Sequence, residues 1–423
     1  MTDKRKLLFV DFETNTGAVD RQLSDVWCAG LAVDDGEPFV ITENIKDIIQ
    51  GYIDDGYIPV FHNASFDLWV AESIGVTGIH AFHDTVLIHY LVAPTESHSL
   101  ANLGESLGFP KLTSTPFDEG YTDEMGTYCC RDVLITQEVF EVYFNLLLKI
   151  PTLLKLYYSV ELPFIRCIID LEVNGVHIDA DKWRDVLKEL EAEREIIKQE
   201  FSNVPPQIGR KSKTKRPRPD DQVSQTPELG KWCLLEVDES LPEYKWGMWE
   251  PFNPSSPVHV KNVLGLEKAD KDALSECGNP LAKHIIDYRK VDKLLSTYGA
   301  SLLEMLHEDG RLHGSYNQTV TRTGRLSSSK PNLQNIPSRG ERGSTIRSLF
   351  TATPERRLVS IDLDQFQLRI YAWYLHEMVN SEKYPDALAL WDDFNNNPNA
   401  DPHQAKADVL GIPRGVAKTL NFA

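Results

Sequence analysis

Apolar and polar positions change texture along the chain. "KLLFVDFE" (6–13) and "YIPVFHN" (57–63) are short apolar runs, rich in β-branched and aromatic residues, and predict strands. "DTVLIHYLVA" (84–93) and "RDVLITQEVFEVYFNLLLK" (131–149) carry apolar residues at helical spacing. That alternation predicts an α/β sheet domain over residues 1–150. Residues 151–310 read as mostly helical, with long amphipathic helices at 181–201 and 280–306. Between these helices lie a Pro-rich basic stretch (205–219) and then Trp232, Trp246 and Trp249, which together predict an irregular insertion. From 311 onward the texture changes again. "RLVSIDLDQ" (357–365) reads as a strand, "FQLRIYAWYLHEM" (366–378) as a helix and "DDFNNNPNADPHQ" (392–404) as a loop. "GVAKTLNFA" (415–423) reads as the start of a helix.

At 423 residues the chain is too long for one core, so two or three domains are expected. No apolar run reaches the roughly 20 residues of a membrane span. The six cysteines contain no C-x-x-C pair, and with no signal-peptide pattern at the start this fits a reducing cytoplasm. The net charge of −19 argues by itself against nucleic acid. Residues 205–219, "PPQIGRKSKTKRPRP", run the other way, with six cations and no acid. Lys211, Lys213, Lys215 and Arg216 are candidate contacts to duplex phosphates or to a processivity partner.

Acidic residues supply the first candidate chemistry. Asp11 and Glu13, two apart on the first strand, leave one face of it. Asp67 follows "NASF" at a strand-to-helix turn, and Tyr128 and Asp132 sit four apart on one helix face. Four carboxylates suit hard cations such as Mg²⁺ or Mn²⁺. Two such ions about 4 Å apart activate water and stabilise a leaving oxygen. A lone D-x-E is a weak signal, but the three parts in this order form a stronger one. "VDFET", "HNASFD" and "YCCRD" resemble the three motifs of the DEDD 3′→5′ exonucleases, in the tyrosine-bearing subtype found in proofreading domains. The resemblance implies metal ligation by Asp11, Glu13, Asp67 and Asp132, with Tyr128 on the attacking water. His62 and His83 have no spacing that links them to the carboxylates and read as structural.

"TRTGRLSSSKPNLQNIP" (321–337) crowds arginines, hydroxyls and amides into one segment. From composition alone it is a solvated turn region. It resembles the signature that precedes the catalytic palm of family A DNA polymerases, which implies that Arg325 grips the primer end in the minor groove. Asn332, Gln334 and Asn335 join it as candidate DNA contacts. "DLDQFQLR" (362–369) resembles that family's first catalytic motif, implying that Asp362 holds both polymerase metals. "ADPHQAKADVLGI" and "RGVAKTLNF" resemble the fingers. There the resemblance places Arg414 and Lys418 on a triphosphate and Phe422 on the incoming base. Gln367 stands where the family usually has glutamate, a near-isosteric change whose amide can donate as well as accept.

The fold expected from the resemblance is an RNase H-like α/β exonuclease domain (1–150), with a mixed sheet and helices. A helical thumb (151–310), a partial α+β palm (311–384) and the start of the fingers (385–423) follow. The implied activity is proofreading DNA polymerisation on template-primer, with deoxynucleoside triphosphates, two Mg²⁺ ions per site and no membrane. "FNPSSPVHV" (252–260) is similar to a segment of the replicative polymerases of short-tailed phages. Past Phe422 the family continues with a second acidic motif, so a second polypeptide is an expected partner. The alternatives are a nuclease that only trims 3′ ends and a DNA-binding module with dead metal sites. The four carboxylates argue against the last.

Overall fold

The computed structural model describes residues 6–15, 25–113, 120–214, 232–236, 244–337, 340–378, 385–397 and 399–422, with Pro227 and Leu229. Two compact units divide the chain, Met1–Glu355 and Arg356–Ala423.

The first unit opens with a five-stranded mixed sheet. Strands β1 (Leu7–Thr14), β2 (Val26–Val33), β3 (Phe39–Ile41), β4 (Ile58–Phe61) and β5 (His83–Asp84) lie in the order β3-β2-β1-β4-β5. β1 runs antiparallel to β2 and parallel to β4. Leu8, Phe9, Val10 and Phe12 of β1 are all buried, which requires helices on both faces of this central strand. Helices α1 (Ile45–Asp54), α2 (Ala64–Ser73), α3 (Thr85–Val92), α4 (Leu100–Leu107) and α5 (Asp123–Leu147) surround the sheet. α5 starts eight residues before the predicted helix. The Thr122 hydroxyl accepts from the Met125 amide, and Asp123 and Glu124 occupy the first turn, where acids favour a helix start. Phe140, Phe144 and Leu147 near its far end join one core with Phe9, Val60, Phe61 and Tyr157.

The chain continues through α6 (Pro151–Leu156), a π-helical turn (Tyr157–Glu161) and α7 (Leu162–Asn174). β6 (Val176–His177), α8 (Ala180–Gln199), β7 (Gln207–Thr214), β8 (Trp232–Glu236) and β9 (Tyr244–Glu250) come next. The insertion predicted as irregular therefore contains a three-stranded antiparallel sheet, ordered β7-β9-β8. Alternation in "QIGRKSKT" and "YKWGMWE" carries that strand signal, which the proline-rich, basic composition masked. α9 (Pro257–Leu264), α10 (Lys271–Glu276), α11 (Pro280–Tyr298) and α12 (Ala300–Glu304) complete the helical region. The helix predicted over 280–306 breaks at Gly299, which is extended (ψ −153°). A Cβ there would collide with the Leu295 carbonyl oxygen, so only glycine fits this junction. β10 (Arg311–Leu312) pairs with β6, while β11 (Ser315–Asn317) and β12 (Ser327–Ser329) form a hairpin before α13 (Gly340–Arg347).

The second unit is helical: α14 (Phe366–Met378), α15 (Pro385–Asn396), α16 (Pro402–Leu410) and α17 (Arg414–Phe422). Leu368, Ala372, Phe394 and Ala400 form its small core. Residues 357–365, expected as a strand, pair with no strand among the described residues. Leu358, Val359, Ile361 and Leu363 are exposed, and an apolar alternation becomes a strand only when a neighbour completes its hydrogen-bond ladder. The loop expected over 392–404 shrinks to about five residues between α15 and α16. Phe394 draws the first half into the core, and the Asp401 carboxylate caps α16 by accepting from the His403 and Gln404 amides.

Candidate active site

Four carboxylates meet at the open end of β1. Asp11 and Glu13 project from this strand two residues apart, opposite Gly30 and Cys28 of β2. Asp67, in the first turn of α2, is buried and accepts from the Phe12 amide at 3.3 Å, which ties α2 to β1 between the two strand acids. Asp132 comes from α5, one turn beyond Tyr128. α5 reaches the sheet because β2 has no side chain at Gly30. A Cβ there would stand 2.9 Å from both Cys129 Sγ and Val133 Cγ2.

The electrostatics follow from burial. Burial raises Asp11 well above the ordinary carboxylate range, and the neighbouring charges of Asp67, Asp132 and Glu13 add to the effect. Burial also raises Glu13, to about 7, with help from Asp132. Asp67 is raised by burial too, against the opposing hydrogen bond from the Phe12 amide. Asp132 Oδ1 is buried with no hydrogen-bond partner. So many acids sharing a desolvated site call for a cation, and oxygen donors of this kind fit Mg²⁺ or Mn²⁺. Asp11, Glu13 and Cys129 bring one ligand atom each within 4.8 Å of one another.

One cation is supplied by the protein. Lys111, in the segment after α4, places Nζ 2.5 Å from Asp132 Oδ2 and 4.8 Å from the centre of the Tyr128 ring. Burial disfavours its charge, yet the Asp132 carboxylate and the Tyr128 hydroxyl hold its pKa above the usual lysine value. The sequence reading missed Lys111, since a single lysine in "GFPKLT" carries no pattern. It also missed Asp84. This buried carboxylate accepts from the Asn63, Ala64, Val86 and Leu87 amides, so it caps α3 and fastens the start of α2, the helix that carries Asp67. Its position just ahead of an apolar helical run is the signal that could have found it. His62 and His83 are engaged elsewhere, with the Thr85 hydroxyl at 2.8 Å and the Tyr157 hydroxyl at 3.1 Å.

The remaining candidates fall into separate groups. Arg325 is exposed in the turn between β11 and β12, beside Gly324 at φ +72°. Asn332 caps a short 3₁₀ turn by accepting from the Gln334 amide, and the Asn335 carbonyl accepts from the Tyr298 hydroxyl. In the second unit Asp362 is exposed in the segment ahead of α14, and Gln367 is exposed in the first turn of α14. Arg414 and Lys418 share a face of α17, and Arg414 Nε is 2.7 Å from Asp401 Oδ2. Phe422 is the last helical position of α17, and Lys211 and Lys213 are positions of β7. The side chains of these three, and Lys215 and Arg216 altogether, lie outside the described residues.

Comparison with known proteins bears on the same two regions. Residues 37–147 match the family model "3'-5' exonuclease", and residues 246–423 match "DNA polymerase family A". Residues 246–423 are thus similar to DNA polymerase family A, and residues 37–147 ahead of them to a 3′-5′ exonuclease domain. DNA polymerase I of Pseudomonas aeruginosa is 27% identical over 98% of this chain and 45% of its own length. DNA polymerase I of Borreliella burgdorferi is 26% identical over 99% and 45%. The thermostable DNA polymerase I of Thermus filiformis is 29% identical over 68% and 30%. The chain therefore spans less than half the length of these relatives. The POL domain of Pol1 from M. smegmatis, solved in complex with DNA primer-template and dNTP, shares the fold. Its TM-score is 0.71 at 20% identity, covering 99% of this chain and 67% of that one. Among the described residues no helix is long and apolar enough to cross a membrane.

Proposed function

We propose that this family A segment and its exonuclease domain act in DNA synthesis. In this reading the cleft at β1 hydrolyses the 3′-terminal phosphodiester of single-stranded DNA. The observation that carries it is the convergence of Asp11, Glu13, Asp67 and Asp132 in one desolvated cleft, with Tyr128 and Lys111 at its edge. Asp11, Glu13, Asp67 and Asp132 would hold two Mg²⁺ ions, with Mn²⁺ as a substitute. Bound there, these ions supply an activated water and a counter-charge for the leaving 3′ oxygen. The Tyr128 hydroxyl, kept protonated by burial, orients the water by hydrogen bonding. Burial raises the Asp132 pKa, and Lys111 opposes that rise while fixing the carboxylate for its role as a ligand.

For polymerisation, the proposed substrates are template-primer DNA and deoxynucleoside triphosphates. Arg325, Asn332, Gln334 and Asn335 would hold the primer side. Asp362 would bind Mg²⁺, Gln367 would face the sugar, and Arg414, Lys418 and Phe422 would take the triphosphate and base. Lys211, Lys213, Lys215 and Arg216 would add phosphate contacts or meet a processivity partner. The exonuclease reading is tested with a 3′-labelled single strand in Mg²⁺. Asp11→Ala combined with Glu13→Ala abolishes degradation, and degradation that survives in the purified double variant refutes the reading.

A further inference from the structure

Cys129, hydrogen-bonded to the buried Cys28 thiol, brings a soft donor to a cluster of hard oxygens. Its thiol donates to the Asp11 carbonyl at 3.4 Å and approaches Asp11 Oδ2 at 3.5 Å. In a tetrahedral site a sulfur about 2.3 Å and an oxygen about 2.1 Å from one metal stand roughly 3.6 Å apart. The observed separation is thus close to the span that a zinc-like ion requires. Asp11, Glu13 and Cys129 form a group of metal-ligating side chains with ligand atoms mutually within 4.8 Å. Asp132, with a buried oxygen that lacks a hydrogen-bond partner, acts electrostatically on both acids. The thiol is also fixed from behind, because α5 sits against Gly30 with no room for a methyl group between Cys129 Sγ and β2.

We infer that the cleft has a second mode of metal binding, in which Cys129, Asp11 and Glu13 together hold one thiophilic divalent cation, Zn²⁺ or Cd²⁺. Three protein ligands leave a fourth tetrahedral position for water. Binding replaces the S–H bond by a sulfur–metal bond and releases one proton to solvent, with no change of oxidation state. Mg²⁺ does not use this mode, because it demands octahedral oxygen ligation. The inference rests on the proposed exonuclease reading for one consequence alone. A soft cation seated on Asp11 and Glu13 occupies ligands that the hydrolytic ions need, so zinc silences 3′-end degradation.

The test is a Cd²⁺ titration of the full chain under reducing conditions, followed by sulfur-to-cadmium charge-transfer absorption, with Mn²⁺ affinity measured in parallel. Wild type shows the band. Cys129→Ser loses it and binds Cd²⁺ roughly 10-fold or more weaker, while its Mn²⁺ affinity stays within about twofold. Cys130→Ser keeps the band. Asp11→Asn retains the thiol and still binds Cd²⁺ more weakly. A band that persists in Cys129→Ser, or Cd²⁺ affinity unchanged in Asp11→Asn, overturns the mixed site. If Cys129→Ser does not fold by circular dichroism, Cys129→Ala is read by the same criteria. The absorption readout needs no DNA, so a wild-type chain that shows the band yet degrades no DNA refutes the nuclease reading and leaves the metal site standing.

Discussion

Replacing Lys111 by methionine removes the protein's own cation from the acidic cleft while keeping its aliphatic bulk. The ammonium is 2.5 Å from Asp132 Oδ2, with side-chain exposures of 26% and 5% for the two partners. Removing one partner of a buried pair costs about 3–5 kcal/mol, because the other charge is left uncompensated. The partial exposure of Lys111 lowers this to about 3 kcal/mol. For a domain of this size 1 kcal/mol moves the melting temperature by about 2–4 °C, so the metal-free exonuclease-domain transition falls by roughly 6–12 °C. A divalent ion then restores the missing charge. Mn²⁺ therefore raises the melting temperature more in Lys111→Met than in wild type, and it binds the variant more tightly because no ammonium competes for Asp132. Calorimetry in chelator and in Mn²⁺ measures both quantities. A variant that melts with wild type in chelator, or that gains no more from Mn²⁺, refutes the reasoning.

Glu13 titrates near 7 in the folded, metal-free protein, above its ordinary value of 4.5, so between those values the folded state holds more protons than the unfolded one. Metal-free stability therefore falls as pH rises from about 4.5 to 7, and Mn²⁺ affinity rises over the upper part of that window as protons stop competing; isothermal titration at pH 5.5, 6.5 and 7.5 checks the slope. Asp84→Asn weakens bonds to four backbone amides and costs about 2 kcal/mol, and hydrogen exchange shows lost protection at the starts of α2 and α3 together. Gly30→Ala pushes α5 off β2, costs about 1–3 kcal/mol by overpacking, and lowers Mn²⁺ affinity by moving Asp132 away from Asp11; unchanged Mn²⁺ affinity counts against this packing account.

The convergence of Asp11, Glu13 and Asp132 was legible in sequence because these acids ride on periodic elements. Asp11 and Glu13 sit at strand spacing, and Tyr128 and Asp132 at helical spacing, so local rules place each pair before any tertiary contact is known. What could not be read is set by contacts distant in sequence. Lys111 meets Asp132 across 21 residues, and Asp84 reaches back to Asn63 and Ala64. The insertion after α8 was misread because its proline and lysine content outweighed an alternation that pairs into a sheet. Residues 357–363 failed in the opposite sense. Their alternation is strand-like, but no described strand pairs with them. The Gly299 break was lost inside a long helical pattern, where one glycine is ordinarily tolerated.

Helix α5 ties the cleft to the centre of the domain. Its 25 residues span roughly 37 Å, with Tyr128 and Asp132 toward one end and Phe140 and Phe144 toward the other. Those two rings stack 4.7 Å apart, and His83 lies 5.1 Å from each. A rigid rod clamped in an aromatic vice has no hinge of its own between clamp and active end. Swinging the Tyr128 and Asp132 end by a bend within α5 then works against the aromatic clamp. The Tyr128 and Asp132 end of α5 and the aromatic core therefore loosen together. Across a denaturant series, loss of Mn²⁺ binding at the carboxylates and loss of helical signal follow a single curve.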